Sequence, residues 1–192
     1  MACSRRLTLI VLVLSSFFAA AVAKPKVKVA SDGFPTGQTT PEGAASDLAR
    51  AFITRDAERF RSVCVRPWGA GRARTDYSAY LDGVVQHLRA KEPPSSDDPS
   101  RIVRVFAARH LSRNGPASYG YAGFDFQDVM FVDVDVVLNS GSSHLRRTMV
   151  IQDHDGKWYV QGVPDVDPLL SYGIYDEKPS VQLFSDVYEI EH

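Results

Sequence analysis

Cysteine is scarce in this 192-residue chain, where Cys3 and Cys64 are the only two. Cys3 sits in a basic opening with Arg5 and Arg6, ahead of apolar runs at 7–14 and 17–22 and the small-residue close Ala21-Val22-Ala23. A basic start, a short apolar core and small residues two apart before a cut are the marks of a secretory signal peptide. Residues 1–23 are therefore expected to be removed and the product to be secreted or periplasmic. The run falls short of the roughly 20 apolar residues that cross a bilayer comfortably, so no stable membrane insertion is expected after cleavage. Cys64 is then left alone, which excludes an internal disulfide from the mature chain.

Positive charge is not in excess either. Removing residues 1–23 takes away Arg5 and Arg6 and no acid, so 20 basic residues face 23 acidic ones and the net charge is near −3. A surface that tracks phosphates normally carries a cationic surplus, so no nucleic-acid partner is expected. There is no glycine-rich phosphate loop, no HExxH and no GxSxG, which speaks against the familiar nucleotide enzymes, zinc peptidases and serine hydrolases.

What is present is enough for one hydrophobic core. Residues 24–39 lack lasting periodicity and read as a flexible lead-in. Thr40-Pro41-Glu42 then supplies a capping oxygen, a proline where no amide hydrogen is missed, and an acid near the positive end of a helix. Ala44, Leu48 and Phe52 follow at helical spacing. A second helix starts at Asp56-Ala57-Glu58, with Phe60, Val63 and Cys64 on its apolar face, and Pro67-Trp68-Gly69 ends it. A third runs from about residue 76 to 90, with Tyr77, Tyr80, Leu81, Val84, Val85 and Leu88 as its stripe.

Beyond the proline- and serine-rich stretch 91–100 the period changes from 3.6 to 2. Strands are expected at 102–111, 129–138, 144–152 and 157–163, with 119–126 as a further candidate. In the clearest of them Val132, Val134, Val136 and Leu138 point one way, and Phe131, Asp133, Asp135 and Val137 the other. Asn139-Ser140-Gly141-Ser142 and Asp153-His154-Asp155-Gly156 supply turns for antiparallel hairpins. The fold class is α+β, with N-terminal helices packed on an antiparallel sheet. Residues 164–192 form a C-terminal extension.

Three stretches carry a resemblance: the opening Thr40-Pro41-Glu42-Gly43-Ala44-Ala45, the junction from Phe52 to Phe60, and the closing pair formed by 145–153 and Gly156-Lys157-Trp158-Tyr159-Val160. In this order of elements, residues 40–163 resemble the nuclear-transport-factor-2-like (cystatin-like, SnoaL-like) superfamily, small secreted bacterial members especially. The resemblance implies a cone in which a strongly curved sheet wraps the helices and leaves a cavity between them. It implies no particular reaction, because folds host many functions.

Asp133 and Asp135 share a strand face about 6–7 Å apart. Facing a cavity, their repulsion would raise one pKa and furnish an acid or base; on an open face they are solvated, and Arg146 lies across from one of them. Trp68, Tyr77 and Tyr80 with His87 offer an aromatic wall and a polar group for a small-molecule pocket, or else core packing. Cys64 reads as buried filler. Asp153-His154-Asp155 lacks the oxygen ligands of a calcium loop and reads as a wet turn. No metal or cofactor is expected.

The leading expectation is a noncatalytic domain that binds a small apolar or aromatic ligand, or an envelope protein, in or near the implied cavity. One alternative is a small acid–base enzyme, an isomerase or hydrolase, using a cavity carboxylate with tyrosine or histidine. The other is a homodimeric scaffold that pairs through the sheet face bearing Phe131 and Val137.

Overall fold

A computed structural model describes residues 23–64, 72–92, 94–110, 126–138, 140–160 and 181–191, with only the backbone course given for 72–77. Lys26–Lys28 form strand β1. Helix α1, Pro41–Thr54, begins where the sequence places it: the Gly43 amide donates to Thr40 Oγ1 at 3.1 Å, and Pro41 occupies the first turn. It ends at Arg55, whose φ of 58° is the left-handed turn that closes many helices. Asp56 then caps α2, Ala57–Val63, by accepting from the Arg59 amide at 2.9 Å. Helix α3 spans Arg72–Ala90 and starts ahead of the expected residue 76.

Strands β2 (Arg101–Val105), β3 (Asp128–Val137), β4 (Ser143–Gln152) and β5 (Trp158–Val160) make one antiparallel sheet in the order β2-β3-β4-β5. The β3–β4 hairpin pairs Asp128 with Gln152 and continues unbroken to Val137 with Ser143. Gly141, at φ 77°, turns it. The last elements are α4, Phe184–Val187, and β6, Glu189–Glu191. Strand β6 pairs parallel with β1, Val27 opposite Ile190, in a separate two-stranded ribbon. Residues 119–125 of the further candidate strand, the end of the expected strand 157–163 from residue 161 on, and 164–180 of the C-terminal extension lie outside the described residues.

One face of the sheet meets α1 in the main core. Val132, Val134, Val136 and Val150 pack with Ala44, Ala45, Leu48, Phe60, Val85 and Leu88. The stripe on α3 thus faces inward as its spacing foretells, at least through Val85 and Leu88. Filling such positions with aliphatic side chains is worth about 1.5–3 kcal/mol each.

Helix α1 is buried on every side from Pro41 to Ala51, polar residues included. The reason lies in residues 24–39. They were expected as a flexible lead-in, yet they hold β1 and cover the outer face of α1. Asp47 accepts from Thr36 Oγ1 at 3.0 Å and from the Gly37 amide at 2.7 Å. Arg50 clamps Asp32 with Nε at 2.8 Å and Nη2 at 2.7 Å, and also donates to the carbonyls of Phe34 and Pro35 and to Asp47. The approach is close enough that a Cβ on Gly43 would collide with the Gly37 carbonyl oxygen.

The expected cone is not there. The sheet is open, neither closed nor strongly curved, with β2 and β5 as its two ends. The four strands of this sheet among the described residues, one of them three residues long, do not close on themselves. The α+β content stands, while the curved, cystatin-like architecture and the cavity it would enclose do not.

Candidate functional site

The residues singled out from the sequence do not converge. Trp68 lies outside the described residues, as does the side chain of Tyr77. Tyr80 is partly buried on α3, while His87, seven positions on, faces solvent. Asp133 and Asp135 project from the sheet face opposite α1, and Arg146 from the face toward it, across from Val134. The described members of the set thus lie on different faces and are not brought together in one pocket.

Asp133 and Asp135 are buried, at 2% and 4% exposure, and not solvated. Each is matched by a cation on the neighbouring strand. Arg147, directly opposite Asp133, donates from Nε to Oδ1 at 2.7 Å and from Nη2 to Oδ2 at 3.0 Å. Arg109 approaches the same carboxylate at 3.6 Å. Arg104, opposite Asp135, donates to Oδ2 at 2.6 Å, and Ser143 Oγ donates to Oδ1 at 2.6 Å. Burial alone would raise the pKa of Asp135, but the Ser143 and Arg104 contacts outweigh it and hold that carboxyl below its ordinary value. These are charge-assisted pairs that fasten strands together, with Arg147 in the place expected of Arg146. The same burial removes the scaffold reading, since Phe131 is 1% exposed and offers no face to a second copy.

Cys64 is buried between α2 and β5, and burial pushes its thiol well above the ordinary range. At the 153–156 turn, Asp153 Oδ1 accepts the His154 amide and Asp155 accepts from the Lys157 amide and the Tyr159 hydroxyl. The aspartates there shape the hairpin.

A site the sequence reading missed lies at the N-terminal end of α1. A cleft of about 490 Å³ opens there, bounded by Glu42, Ala108, Met130, Trp158 and Tyr188, with the exposed Lys26 also lining it. The β1–β6 ribbon forms one wall: the Glu189 amide donates to the Pro25 carbonyl at 2.9 Å, bringing Tyr188 over the helix end. Met130 and Trp158 come from the helix-facing side of the sheet, where Trp158 pairs with Gln152.

Glu42 is the unusual member. It is 1% exposed; its Oε1 accepts the Ala108 amide at 2.6 Å, and its Oε2 is shut off from bulk solvent with no hydrogen-bond partner among the described residues. Burial raises its pKa, against the pull of the Ala108 amide, its own amide and Tyr188. Burial, followed by the charge of Glu42, pushes the Tyr188 phenol up in turn. The Tyr188 hydroxyl leans toward the Glu42 carboxyl and acts on it by hydrogen bonding as well as charge, although no bond of ordinary geometry from the described residues closes onto Oε2. A buried carboxyl oxygen left unpaired costs free energy, and such a group calls for an explanation.

The donors at the helix end are committed locally, the Glu42 amide acting on its own carboxyl. Pro41 has no amide hydrogen, Gly43 gives its own to Thr40 Oγ1, and Ala44 gives its own to the Thr40 carbonyl at 3.2 Å. The cleft therefore offers a ligand one buried acceptor, a phenol and a mixed wall in which Met130, Trp158 and Ala108 stand beside Thr39, Thr40, Gln182 and Lys26.

Among the described residues no helix is long and apolar enough to cross a membrane. Comparison with protein-family models, with curated proteins and with solved structures finds nothing that matches this chain, and with the sheet open, the resemblance to the nuclear-transport-factor-2-like superfamily is not upheld.

Proposed function

We propose that this chain is an exported binding protein for a small molecule with an apolar or aromatic body, held in the cleft at the N-terminal end of α1. The observation that carries this reading is Glu42 Oε2, a buried acceptor without a partner among the described residues, in a residue that lines the cleft. Among the described residues no donor reaches that oxygen in good geometry, and a ligand donor would satisfy it. Trp158 and Met130 would contact the ligand body, which supplies affinity by removing apolar surface from water. This site differs in place and in residues from the cone cavity implied by the resemblance.

Residues 24–192, screened against small aromatic and alicyclic compounds by thermal shift and calorimetry, provide the test. Saturable binders are expected whose affinity falls when Trp158 is replaced by Ala. Binders unaffected by Trp158→Ala, or a screen with none, would overturn the reading. Export is proposed on the pattern of residues 1–23. The protein recovered from its native compartment should begin at Lys24 by mass spectrometry, and a product that retains residues 1–23 would refute it.

A further inference from the structure

The cleft at the end of α1 also restricts the chemistry of what it holds. Resting on the reading above, we infer that its ligand is uncharged and presents a single hydrogen-bond donor, an alcohol, a phenol or a secondary amide N–H, to Glu42 Oε2.

A count of donors and acceptors leads there. Glu42 contributes two carboxyl oxygens, and Oε1 is already taken by the Ala108 amide. What remains is one buried oxygen, which matches one donor hydrogen. An ammonium group would be attracted by an ionised Glu42, but it brings three N–H donors and a full charge whose desolvation offsets that attraction inside the cleft. Seated against Oε2 it would lose its hydration beside Met130 and Trp158, leaving its other donors to the more distant polar lining of Thr39, Thr40 and Gln182. Two further positive features oppose it: the N-terminal end of α1, equivalent to about half a unit charge, and Lys26.

A carboxylate fares no better. Anions settle at helix ends because free amides point at them. Here the amides of Gly43 and Ala44 are committed to Thr40, that of Glu42 acts on its own carboxyl, and Pro41 has none. An anionic ligand would also meet Glu42 at close range inside a site shielded from water, where like charges repel strongly. A neutral donor on an apolar body meets none of these penalties. Tyr188, carried by the terminal ribbon, is the side chain that must yield for a ligand atom to reach Oε2.

The experiment uses matched probes that share one body and differ only in the head: 2-naphthalenemethanol, 2-naphthylmethylamine and 2-naphthoic acid, titrated into residues 24–192. Calorimetry gives affinities, and amide NMR shifts at Glu42, Ala108 and Tyr188 locate the site. The alcohol is expected to bind in the cleft about tenfold or more tighter than either charged probe. Glu42→Gln, which keeps an acceptor for the Ala108 amide but turns the other head atom into a donor, is expected to erase that preference. If the amine or the acid binds tighter in the cleft, the inference about charge fails while the binding site stands. If no probe shifts those amides, the binding site itself is wrong.

Discussion

Glu42 Oε1 accepts the amide of Ala108 at 2.6 Å, a bond that spans 66 positions and ties the start of α1 to the stretch leaving β2. The helix cap and the sheet are thereby joined at the floor of the cleft. Glu42→Ala removes the acceptor and leaves the Ala108 amide unpaired, which is expected to cost about 1–3 kcal/mol. Glu42→Gln preserves an acceptor and is expected to cost clearly less. Urea midpoints of the two variants check the difference; equal losses would show that the Ala108 bond contributes nothing.

The same residue shapes the response to pH. Its carboxyl is raised in the folded state by burial, from an ordinary 4.5. The folded protein therefore holds this proton more tightly than the unfolded chain, and stability falls as pH rises from 4.5 through the folded value. Asp32 and Asp135 behave in the opposite sense. In each, burial would raise the pKa, but hydrogen bonds and cations outweigh it and hold the carboxyl below 3.8, Arg50 leading at Asp32 and Ser143 with Arg104 at Asp135. Their contribution is present above 3.8 and lost as pH falls through their folded values. Unfolding free energy is thus expected to rise out of strong acid and then decline across the mildly acidic range. Glu42→Gln should abolish the decline and leave the rise intact. A wild-type profile without the decline would contradict the assignment.

Arg50 is the fastening of the N-terminal segment. Its side chain is buried and spends its donors on Asp32, Asp47 and the carbonyls of Phe34 and Pro35. Arg50→Ala leaves Asp47 buried without its cation, and a loss of about 3–5 kcal/mol is expected. Arg50→Lys keeps the charge but lacks the planar fork, so it should recover only part of that loss. Hydrogen exchange at the Val27 and Thr36 amides should accelerate in both variants. Unchanged protection there would mean that β1 and its loop hold to α1 by other means.

Asp133 and Arg147 form a buried pair that can be separated by a double-mutant cycle. Either Asp133→Leu or Arg147→Met alone strands a buried charge, an expected loss of about 3–5 kcal/mol. The double variant should lose much less than the sum, with Arg109 accounting for part of the remainder. Additive losses in urea unfolding would show that the two do not act as a pair.

The cap at Thr40, the second cap at Asp56 and the alternation along β3 were legible because each rests on contacts between near neighbours in the chain. Strand β1 was not, because three residues carry no period and its partner β6 lies some 160 positions away. The alternation correctly separated Asp133 and Asp135 from the valines, but it cannot say what covers a face. Solvation follows only if that face is open, and their burial depends on arginines that only register brings opposite. That a single arginine of the pair at 146 and 147 would serve a given face followed from the two-residue period; which one required the hairpin alignment. Glu42 was visible as a first-turn acid, and that local role concealed the other. Its burial comes from Ala108 and Tyr188, and Tyr188 belongs to a tail whose packing no local pattern could place.

A crystal structure of residues 24–192 grown with saturating 2-naphthalenemethanol tests the central claim most directly. The account predicts the hydroxyl within hydrogen-bond distance of Glu42 Oε2, with the rings against Trp158 and Met130. Density for the alcohol elsewhere on the protein, with Glu42 Oε2 still unpaired, would contradict it.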